Sequence, residues 1–463
     1  MHDFDLVIIG TGSGNSIPGP SFDDWNVAIV EKGVFGGTCL NVGCIPSKMF
    51  VYAADVAETI RHSATYGIDA TIDGVDWPAI RDRVFNRIDP IAAGGEAYRR
   101  SDECPNITVF GGEGRFTGPK TLDVKLANGT TESITGRHII LGAGARPFIP
   151  PFTGIETVDY HTSDTIMRLD ALPQKLIVMG GGYIAAELGH VFAALGSQVT
   201  MINRGYTLLR AEDTDIATRF TEVFARRVDL RGGSAVNQIW QDDDGIHVTV
   251  TRNGAAEQID GDTILVATGR VPNGDILDVG AAGIDTDGNR VLVDEYFRTN
   301  VEGIWAFGDL SNTSQLKHLA NAEVRALRHN LLVTEGQIAG PLQSIDTRFV
   351  PHAVFGMPQV AAVGLTEQQA RDQGLDILVA TKGYGATAYG WAMEDQDGYA
   401  KLIADANTRQ LVGAHIIGAQ ASTLIQQLIQ GMQFGQTVEE MARSQFYIHP
   451  ALPELIENAL LDF

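Results

Sequence analysis

The chain has 463 residues, which is too long for one hydrophobic core, so two to four domains are expected. Its formal net charge of -23 argues against nucleic acid or an anionic membrane surface as a partner, because both require basic patches. No apolar run approaches the length of a membrane span, and no signal-like segment precedes the first predicted strand. A cytoplasmic protein is therefore expected.

A glycine-rich turn joins the first two predicted strands, Asp5–Ile9 and Trp25–Val30. Glu31 ends the second strand. Glycines allow the backbone to approach a pyrophosphate, and an acid in this place binds ribose hydroxyls. The pattern predicts a dinucleotide-binding domain, with an ordinary strand–turn as the alternative. The glycines of the turn are Gly10, Gly12 and Gly14.

This turn departs from the usual pattern in two places. Asn15 stands where the third glycine of the motif usually lies, and the Pro18-Gly19-Pro20 segment must shorten the first helix. Further along, Lys48–Tyr66 is predicted to be a helix, with Pro46 near its start and Gly67 just after its end.

A second unit repeats the organisation of the first. It opens with the strand Leu176–Met179 and a glycine turn, and both units close with an apolar strand and a glycine-containing loop, at Gly144 and at Gly269. This duplication predicts two nucleotide-binding domains, the first of them interrupted, followed by an α+β domain. The expected ranges are 1–148 and 274–345 for the first domain, 149–273 for the second and 346–463 for the third.

The second glycine turn contains Gly180 and Gly182, and the strand after it (Val199–Ile202) is followed by basic residues instead of an acid. Arg204 and Arg210 can bind a 2′-phosphate with paired hydrogen bonds, whereas an acid there would repel it. The pattern favours NADPH over NADH. Two solvated surface arginines are the alternative.

Three cysteines are too few for a disulfide framework, and two of them, Cys39 and Cys44, lie five positions apart. A structural zinc site would require a second pair, and only Cys104 remains, so no metal site is predicted. Residues at this spacing cannot form a disulfide across a regular helix, so the segment must bend, which Gly43 permits. Cys44 is expected near a helix N-terminus, where a thiolate is favoured.

The segment from Gly36 to Lys48, Gly-Gly-Thr-Cys-Leu-Asn-Val-Gly-Cys-Ile-Pro-Ser-Lys, resembles the active-site motif of the class I flavoprotein disulfide reductases. The resemblance extends to the segment His449-Pro-Ala-Leu-Pro-Glu454 near the end of the chain. It implies an α/β fold with two Rossmann-like domains, for FAD and NADPH, and a C-terminal α+β dimerisation domain. It also implies a homodimer with shared active sites that acts on a small-molecule disulfide.

The resemblance further implies roles for individual residues. Cys44 is the sulfur next to the flavin, and Cys39 is the thiol that attacks the substrate. Lys48 and Glu187 form an ion pair near the flavin. Tyr183 covers the nicotinamide pocket, and Asp309 binds the ribityl chain of FAD. The full set of implied cofactor-binding residues is Gly10, Gly12, Gly14, Glu31, Thr38, Gly144, Gly180, Gly182, Tyr183, Arg204, Arg210, Gly269 and Asp309.

His449 is implied as the acid–base catalyst, oriented by Glu454 and acting on the disulfide of the partner subunit. The ordinary pKa of histidine lies near neutrality, which suits deprotonation of Cys39 and protonation of the leaving thiol. The proline-rich loop and Glu454 distinguish this histidine from the other ten.

The cysteine motif is shared with lipoamide dehydrogenase and does not identify the substrate. The arginine at 204 argues against that enzyme, which uses NAD. Three segments resemble the mycothione reductase branch of the family, at residues 12–16, 47–54 and 389–395. Mycothiol disulfide is therefore the expected substrate. The alternative functions are those of a lipoamide dehydrogenase, a glutathione reductase or a flavoprotein without turnover.

Overall fold

The computed structural model describes residues 2–463. The strands of the first part of the chain are β1 (His2–Ile9), β2 (Val27–Glu31), β3 (Ile107–Gly118), β4 (Thr121–Leu126), β5 (Thr131–Leu141) and β6 (Ala145–Pro147). Those of the middle part are β7 (Lys175–Met179), β8 (Gln198–Asn203), β9 (Asp229–Gly232), β10 (Ser234–Asp242), β11 (Gly245–Arg252), β12 (Ala255–Gly261), β13 (Thr263–Val266), β14 (Arg270–Pro272), β15 (Thr286–Asp287), β16 (Arg290–Val291) and β17 (Ile304–Ala306). The last are β18 (His352–Val354), β19 (Val360–Gly364), β20 (Ile377–Gly383), β21 (Tyr399–Asp405) and β22 (Leu411–Ile417).

The α-helices lie between these strands and after them. They are α1 (Gly37–Asn41), α2 (Cys44–Arg61), α3 (Trp77–Arg99), α4 (Tyr183–Leu195), α5 (Thr214–Phe224), α6 (Lys317–Thr334), α7 (Glu367–Asp372), α8 (Ala388–Ala392), α9 (Ala421–Gln433), α10 (Val438–Arg443) and α11 (Pro453–Leu461).

One compact unit comprises the part up to Pro46, Asp82–Phe148 and Arg270–Asp346. Its sheet has a parallel part in the order β3-β2-β1-β5-β17, and β4 joins β3 to β5 with antiparallel pairing. The central strands are buried on both faces, as continuous apolar runs require in a parallel sheet. The carboxyl ends of β1 and β2 therefore bring the first glycine turn and Glu31 to one edge.

The second unit comprises Ser47–Arg81, Ile149–Gly269 and Thr347–Phe463. In its middle part, the parallel sheet β13-β7-β8-β9 is accompanied by the antiparallel meander β10-β11-β12. The same combination of a parallel sheet and an antiparallel meander occurs in the first unit, as the duplication predicts. The four domain ranges expected from the sequence remain a prediction.

The C-terminal part of this unit is a five-stranded antiparallel sheet in the order β18-β19-β22-β21-β20. Helices α9, α10 and α11 contribute apolar side chains to one core with β19, β21 and β22. The predicted α/β class, with two Rossmann-like regions and a C-terminal α+β domain, is confirmed. No helix within residues 2–463 is long and apolar enough to cross a membrane.

Two helices differ from expectation. Helix α2 begins at Cys44 instead of Lys48, because Pro46 is tolerated within the first turn, where its missing N–H has no helical partner. It ends at Arg61, and a short 3₁₀ turn then leads to Gly67, whose φ of 74° ends that turn.

Helix α3 was not predicted, because it contains Pro90 and two glycines that disfavour helix. Burial of its apolar face overrides these local preferences.

Candidate active site

The two predicted redox cysteines lie on consecutive helices that are separated by a sharp break. Cys39 is within α1, and Cys44 is the first residue of α2. The break depends on Gly43: a Cβ atom there would lie 2.8 Å from the carbonyl oxygen of Thr38 and 3.3 Å from the Cα of Cys39. Only a residue without a side chain allows the two turns to approach this closely. The structure therefore has the predicted bend.

A hydrogen-bonding interaction with the Cys44 side chain is the main cause that raises the pKa of Cys39, followed by burial and by the charge of Cys44, while the positive charge of Lys317 acts in the opposite direction. Cys44 is exposed and lies at the N-terminus of α2, where the helix dipole favours a negative charge. These effects favour the protonated form of the Cys39 thiol.

The first glycine turn is closely packed against its neighbours. Gly10 has a φ of 94°, and a Cβ there would lie 2.3 Å from the carbonyl oxygen of Gly142. Beside Gly12, by contrast, a Cβ would meet only the Cα of Gly37, at 4.0 Å. Glu31 accepts hydrogen bonds from the amide (2.8 Å) and hydroxyl (2.7 Å) of Thr11, so its carboxylate lies next to the turn.

No α-helix follows this turn directly, as the prolines predict; a 3₁₀ turn at Ser13–Ser16 takes its place. Arg99, at the end of α3, holds the shortened segment. Its Nε donates to Oδ1 of Asn15 at 2.9 Å, and its Nη2 donates to the Asn15 carbonyl at 2.6 Å. Asn15 is thus an acceptor for Arg99, in the place where the motif usually has glycine.

A carboxylate lies beside the first sheet at Asp309, in a turn after β17. Burial raises its pKa, while the positive charges of Arg270 and Lys317 act in the opposite direction. None of the described side chains donates a hydrogen bond to this carboxylate. A half-buried acid of this kind fits a hydroxyl-rich ligand, because a hydroxyl would replace the lost hydration.

Lys48 and Glu187 form the predicted ion pair, with 2.8 Å between Nζ and Oε2. The other oxygen of Glu187 accepts the backbone N–H of Phe355 at 2.9 Å, and Nζ of Lys48 lies 3.8 Å from the centroid of the Phe355 ring. Trp77 packs between Phe50 of α2 and Phe192 of α4, which fixes the two helices that carry the ion pair. Lys48 is also one helical turn after Cys44 in α2.

The second glycine turn lies between β7 and α4. Gly180 has a φ of 131°, and a Cβ there would lie 2.3 Å from the carbonyl oxygen of Ala267. Gly182 is the N-cap of α4, and a Cβ there would meet only open space. The amides at this helix start are therefore accessible to a pyrophosphate. Tyr183 follows with an exposed fraction of 47%.

Arg204 and Arg210 are exposed and form no hydrogen bond or ion pair with any described residue. Asn203 stabilises their loop, since its Nδ2 donates to the carbonyls of Gly205 and Thr207 at 2.9 and 3.1 Å. The two arginines are available to an anionic ligand.

Comparisons with known proteins agree with this arrangement. Residues 4–326 match the pyridine nucleotide-disulphide oxidoreductase family, and residues 350–460 match its dimerisation domain. The chain belongs to this family. It is 51% identical to mycothione reductase from Mycobacterium tuberculosis, over 100% of this chain and 99% of that protein. Identity to mercuric reductase from Staphylococcus aureus is 32%, over 100% of this chain and 82% of that protein.

A solved structure gives the same assignment. The HOCl-induced flavoprotein disulfide reductase RclA from Escherichia coli, as its Cu(II) complex, superimposes with a TM-score of 0.86. It is 28% identical, with 100% of this chain and 99% of that chain covered. The predicted enzyme class, a flavoprotein disulfide reductase that uses FAD and NADPH, is confirmed.

The residues present fit these cofactors. The open space beside Gly12 and Gly182 suits two pyrophosphates, and a Cβ at Gly144 or Gly269, both with positive φ, would meet no neighbour within 4 Å. Chain packing alone does not require glycine at Gly182. Thr38 is exposed on α1, where its side chain can face a ligand.

His449 lies in the region that matches the dimerisation domain. Its Nδ1 is 2.7 Å from Oε1 of Glu454, and 71% of its side chain is exposed. An imidazole held by a carboxylate at Nδ1 has its Nε2 directed away from that acid. Glu454 also accepts the amide of Ala451 at 3.3 Å, so the orienting carboxylate is itself fixed.

Three residues near these sites were not identified from the sequence. Lys317 begins α6, donates to the hydroxyl of Ser13 at 2.7 Å and lowers the pKa of Cys39. Phe355 contacts the ion pair through its amide and its ring, and Arg99 holds Asn15. Each acts across more than 80 residues of sequence, so no local motif indicates it.

Proposed function

We propose that this enzyme reduces mycothiol disulfide to mycothiol with NADPH as the electron donor. The observation that carries the proposal is the 51% identity to a mycothione reductase over the whole chain, against 32% for a dihydrolipoyl dehydrogenase from Mycobacterium leprae. Relatives whose names indicate other substrates thus have a much lower identity to this chain. The four predicted domain ranges are part of the same proposal.

The cofactors are assigned to the two turns. Gly10–Gly14 would hold the pyrophosphate of FAD, with Glu31 on its ribose and Asp309 on its ribityl chain. Gly180–Gly182 would hold NADPH, and Tyr183 would move aside for the nicotinamide. The bound flavin would supply the two-electron chemistry that links NADPH to the disulfide. Arg204 and Arg210 bind the 2′-phosphate, which supports a preference for NADPH.

Cys39 and Cys44 then exchange electrons with the substrate. Reduction of their disulfide gives the hydrogen-bonded dithiol. The Cys39 thiolate attacks one sulfur of the substrate disulfide, so that a mixed disulfide forms and the first thiol leaves. Cys44 attacks the Cys39 sulfur, which closes the internal disulfide and releases the second thiol. The ion pair of Lys48 and Glu187 keeps a positive charge one helical turn from Cys44, which favours the thiolate.

Protons are handled by His449 of the partner subunit in this proposal. Cys39 needs such a base, because its hydrogen bond with Cys44 and its burial raise its pKa. The imidazole takes the proton of Cys39 and donates it to the first leaving thiolate, while Glu454 stabilises the imidazolium. The protein would be a homodimer in which both chains contribute to each active site, which the match to a dimerisation domain supports.

The test is a comparison of disulfide substrates. Initial rates of NADPH oxidation are measured with mycothiol disulfide, a cysteinyl-glucosaminyl disulfide, glutathione disulfide and lipoamide. We expect kcat/KM for the two sugar-containing disulfides to exceed the others by about tenfold or more, because a site that hydrogen-bonds a substrate group rejects analogues without it. Cys44→Ser should abolish turnover, and Cys104→Ser, which alters a buried thiol outside the pair, should keep it.

Lipoamide or glutathione disulfide as the best substrate would contradict the proposed substrate. Loss of activity in Cys104→Ser, with its FAD content and fold intact, would contradict the assignment of the redox pair.

A further inference from the structure

A row of titratable side chains crosses the C-terminal sheet. His352 on β18 pairs with Ala362 on β19, Ala362 pairs with His415 on β22, and His415 pairs with Lys401 on β21. Residues that are directly opposite on neighbouring strands lie on the same face of a sheet. His352, His415 and Lys401 therefore form one row, and the side chain of Lys401 is only 3% exposed.

The segment that leads into α5 lies against this row and supplies acids to it. Nε2 of His352 is 2.7 Å from Oε1 of Glu212. Nζ of Lys401 is 2.9 Å from Oδ1 of Asp213 and 2.6 Å from Oδ2 of Asp215. Asp213 is also the N-cap of α5 and accepts the amide of Asp215. The row thus fixes both the start of α5 and the two residues before it.

Lys401 and Asp213 are both charged where they contact each other. Burial opposes ionisation of Asp213, but hydrogen bonds from Lys401 and from the amide of Glu367 outweigh it and lower the pKa of Asp213. The carboxylate of Glu367 also binds Lys401, at 2.7 Å. Buried ion pairs are weak evidence for stability, since burial of charge costs much of what pairing contributes. Such a pair does restrict the relative positions of the two side chains and of the backbone segments that carry them.

The same segment is fixed at its other end by the second glycine turn. Leu209 has a φ of 50°, which is uncommon for leucine, and its amide donates to the carbonyl of Gly181 at 2.7 Å. The amide of Glu212 donates to the carbonyl of Leu209 at 2.9 Å. Arg210 lies between these two attachments, immediately after Leu209 and two residues before Glu212.

We propose that Lys401 and His352 are positioning residues for the choice of NADPH over NADH. Through Asp213 and Glu212, they hold the backbone of Arg210 where its guanidinium meets the 2′-phosphate. The C-terminal sheet then contributes to nucleotide selection without contacting the nucleotide. This inference rests on the proposed assignment of Arg204 and Arg210 to that phosphate.

The experiment measures nucleotide binding directly on the FAD-loaded enzyme. Calorimetric Kd values are determined for adenosine 2′,5′-bisphosphate and for adenosine 5′-phosphate, which differ only in the 2′-phosphate. Lys401→Met should weaken binding of the bisphosphate about tenfold, and His352→Gln about threefold, with less than about a twofold change for the monophosphate. The KM ratio of NADPH to NADH should rise by similar factors, with kcat for NADH unchanged.

Lys382→Met is the matched control. Lys382 forms an ion pair with Asp462 at 2.8 Å on the neighbouring strand β20, and it does not contact the segment before α5. This variant loses a lysine ion pair in the same sheet and should keep both Kd values. Lys401→Arg retains the charge and should recover most of the affinity for the bisphosphate.

The outcomes separate the two proposals. Unchanged discrimination in Arg210→Ala and Arg204→Ala would overturn the assignment of the phosphate site, and this inference with it. If those variants lose discrimination while Lys401→Met and His352→Gln keep it, or lose affinity for both ligands equally, only the inference is overturned. Should Lys401→Met fail to fold, His352→Gln decides, because the His352 side chain is 38% exposed and glutamine retains a hydrogen-bond donor for the buried carboxylate of Glu212.

Discussion

Gly43 determines how closely the two redox cysteines approach, so Gly43→Ala tests the geometry of the pair. The added Cβ would lie 2.8 Å from the carbonyl oxygen of Thr38. Reaching an ordinary contact requires the two turns to separate by about 0.6 Å. Both contacting atoms belong to backbone or to Cys39, so no flexible side chain can move away.

The strain should affect the disulfide more than the dithiol. A covalent S–S bond restricts the separation of Cys39 and Cys44, whereas two hydrogen-bonded thiols can move apart. Overpacking of this kind costs about 1–3 kcal/mol. If about 1.4 kcal/mol of it falls on the oxidised form, the reduction potential of the pair should rise by about 30 mV.

The assay is equilibration of the enzyme with thiol redox buffers, followed by a count of alkylated cysteines at each potential. Gly74→Ala is the control, because a Cβ at Gly74 meets no atom within 4 Å and its φ is not positive. A potential in Gly43→Ala that equals those of Gly74→Ala and wild type would refute the argument that Gly43 sets the pair's geometry.

Three further variants test the thiol chemistry and the architecture. Cys39→Ser should leave Cys44 as a thiolate beside the flavin and show a long-wavelength charge-transfer band without reductant; a spectrum of FAD alone would remove Cys44 from that place. Lys317→Met removes a charge that lowers the pKa of Cys39, so alkylation of Cys39 in the reduced enzyme should begin at higher pH than in wild type, and an onset at equal or lower pH would contradict this. Refolding Cys39→Ser together with His449→Ala, with FAD present, should restore about one quarter of wild-type sites, whereas no recovery would indicate that His449 acts within its own chain.

Much of the fold follows from local pattern. The strands that carry the glycine turns were predicted within a few residues, because continuous apolar runs bounded by glycine identify buried parallel strands. The helix α3 was missed for the opposite reason. Its glycines and Pro90 give a poor local signal, and its stability depends on packing that no short window contains.

The candidate site likewise has a part that the sequence predicts and a part that it does not. The spacing of Cys39 and Cys44 and the place of Gly43 are visible in sequence, because covalent geometry limits what so short a segment can do. The contacts of Lys317 with Ser13 and of Phe355 with Glu187 join residues more than 160 positions apart. Only the assembled sheets bring them together. Asn203, just before Arg204, stabilises the backbone of the loop that carries both arginines.

In the proposed reaction, electrons from NADPH reach the Cys39–Cys44 disulfide. This transfer is tested by differential alkylation of the oxidised, FAD-loaded enzyme under anaerobic conditions, with and without NADPH, followed by peptide mass spectrometry. NADPH should expose two new reactive thiols, at Cys39 and Cys44, while the labelling of buried Cys104 stays constant. No new thiols on addition of NADPH, or new labelling only at Cys104, would show that NADPH does not reduce this disulfide.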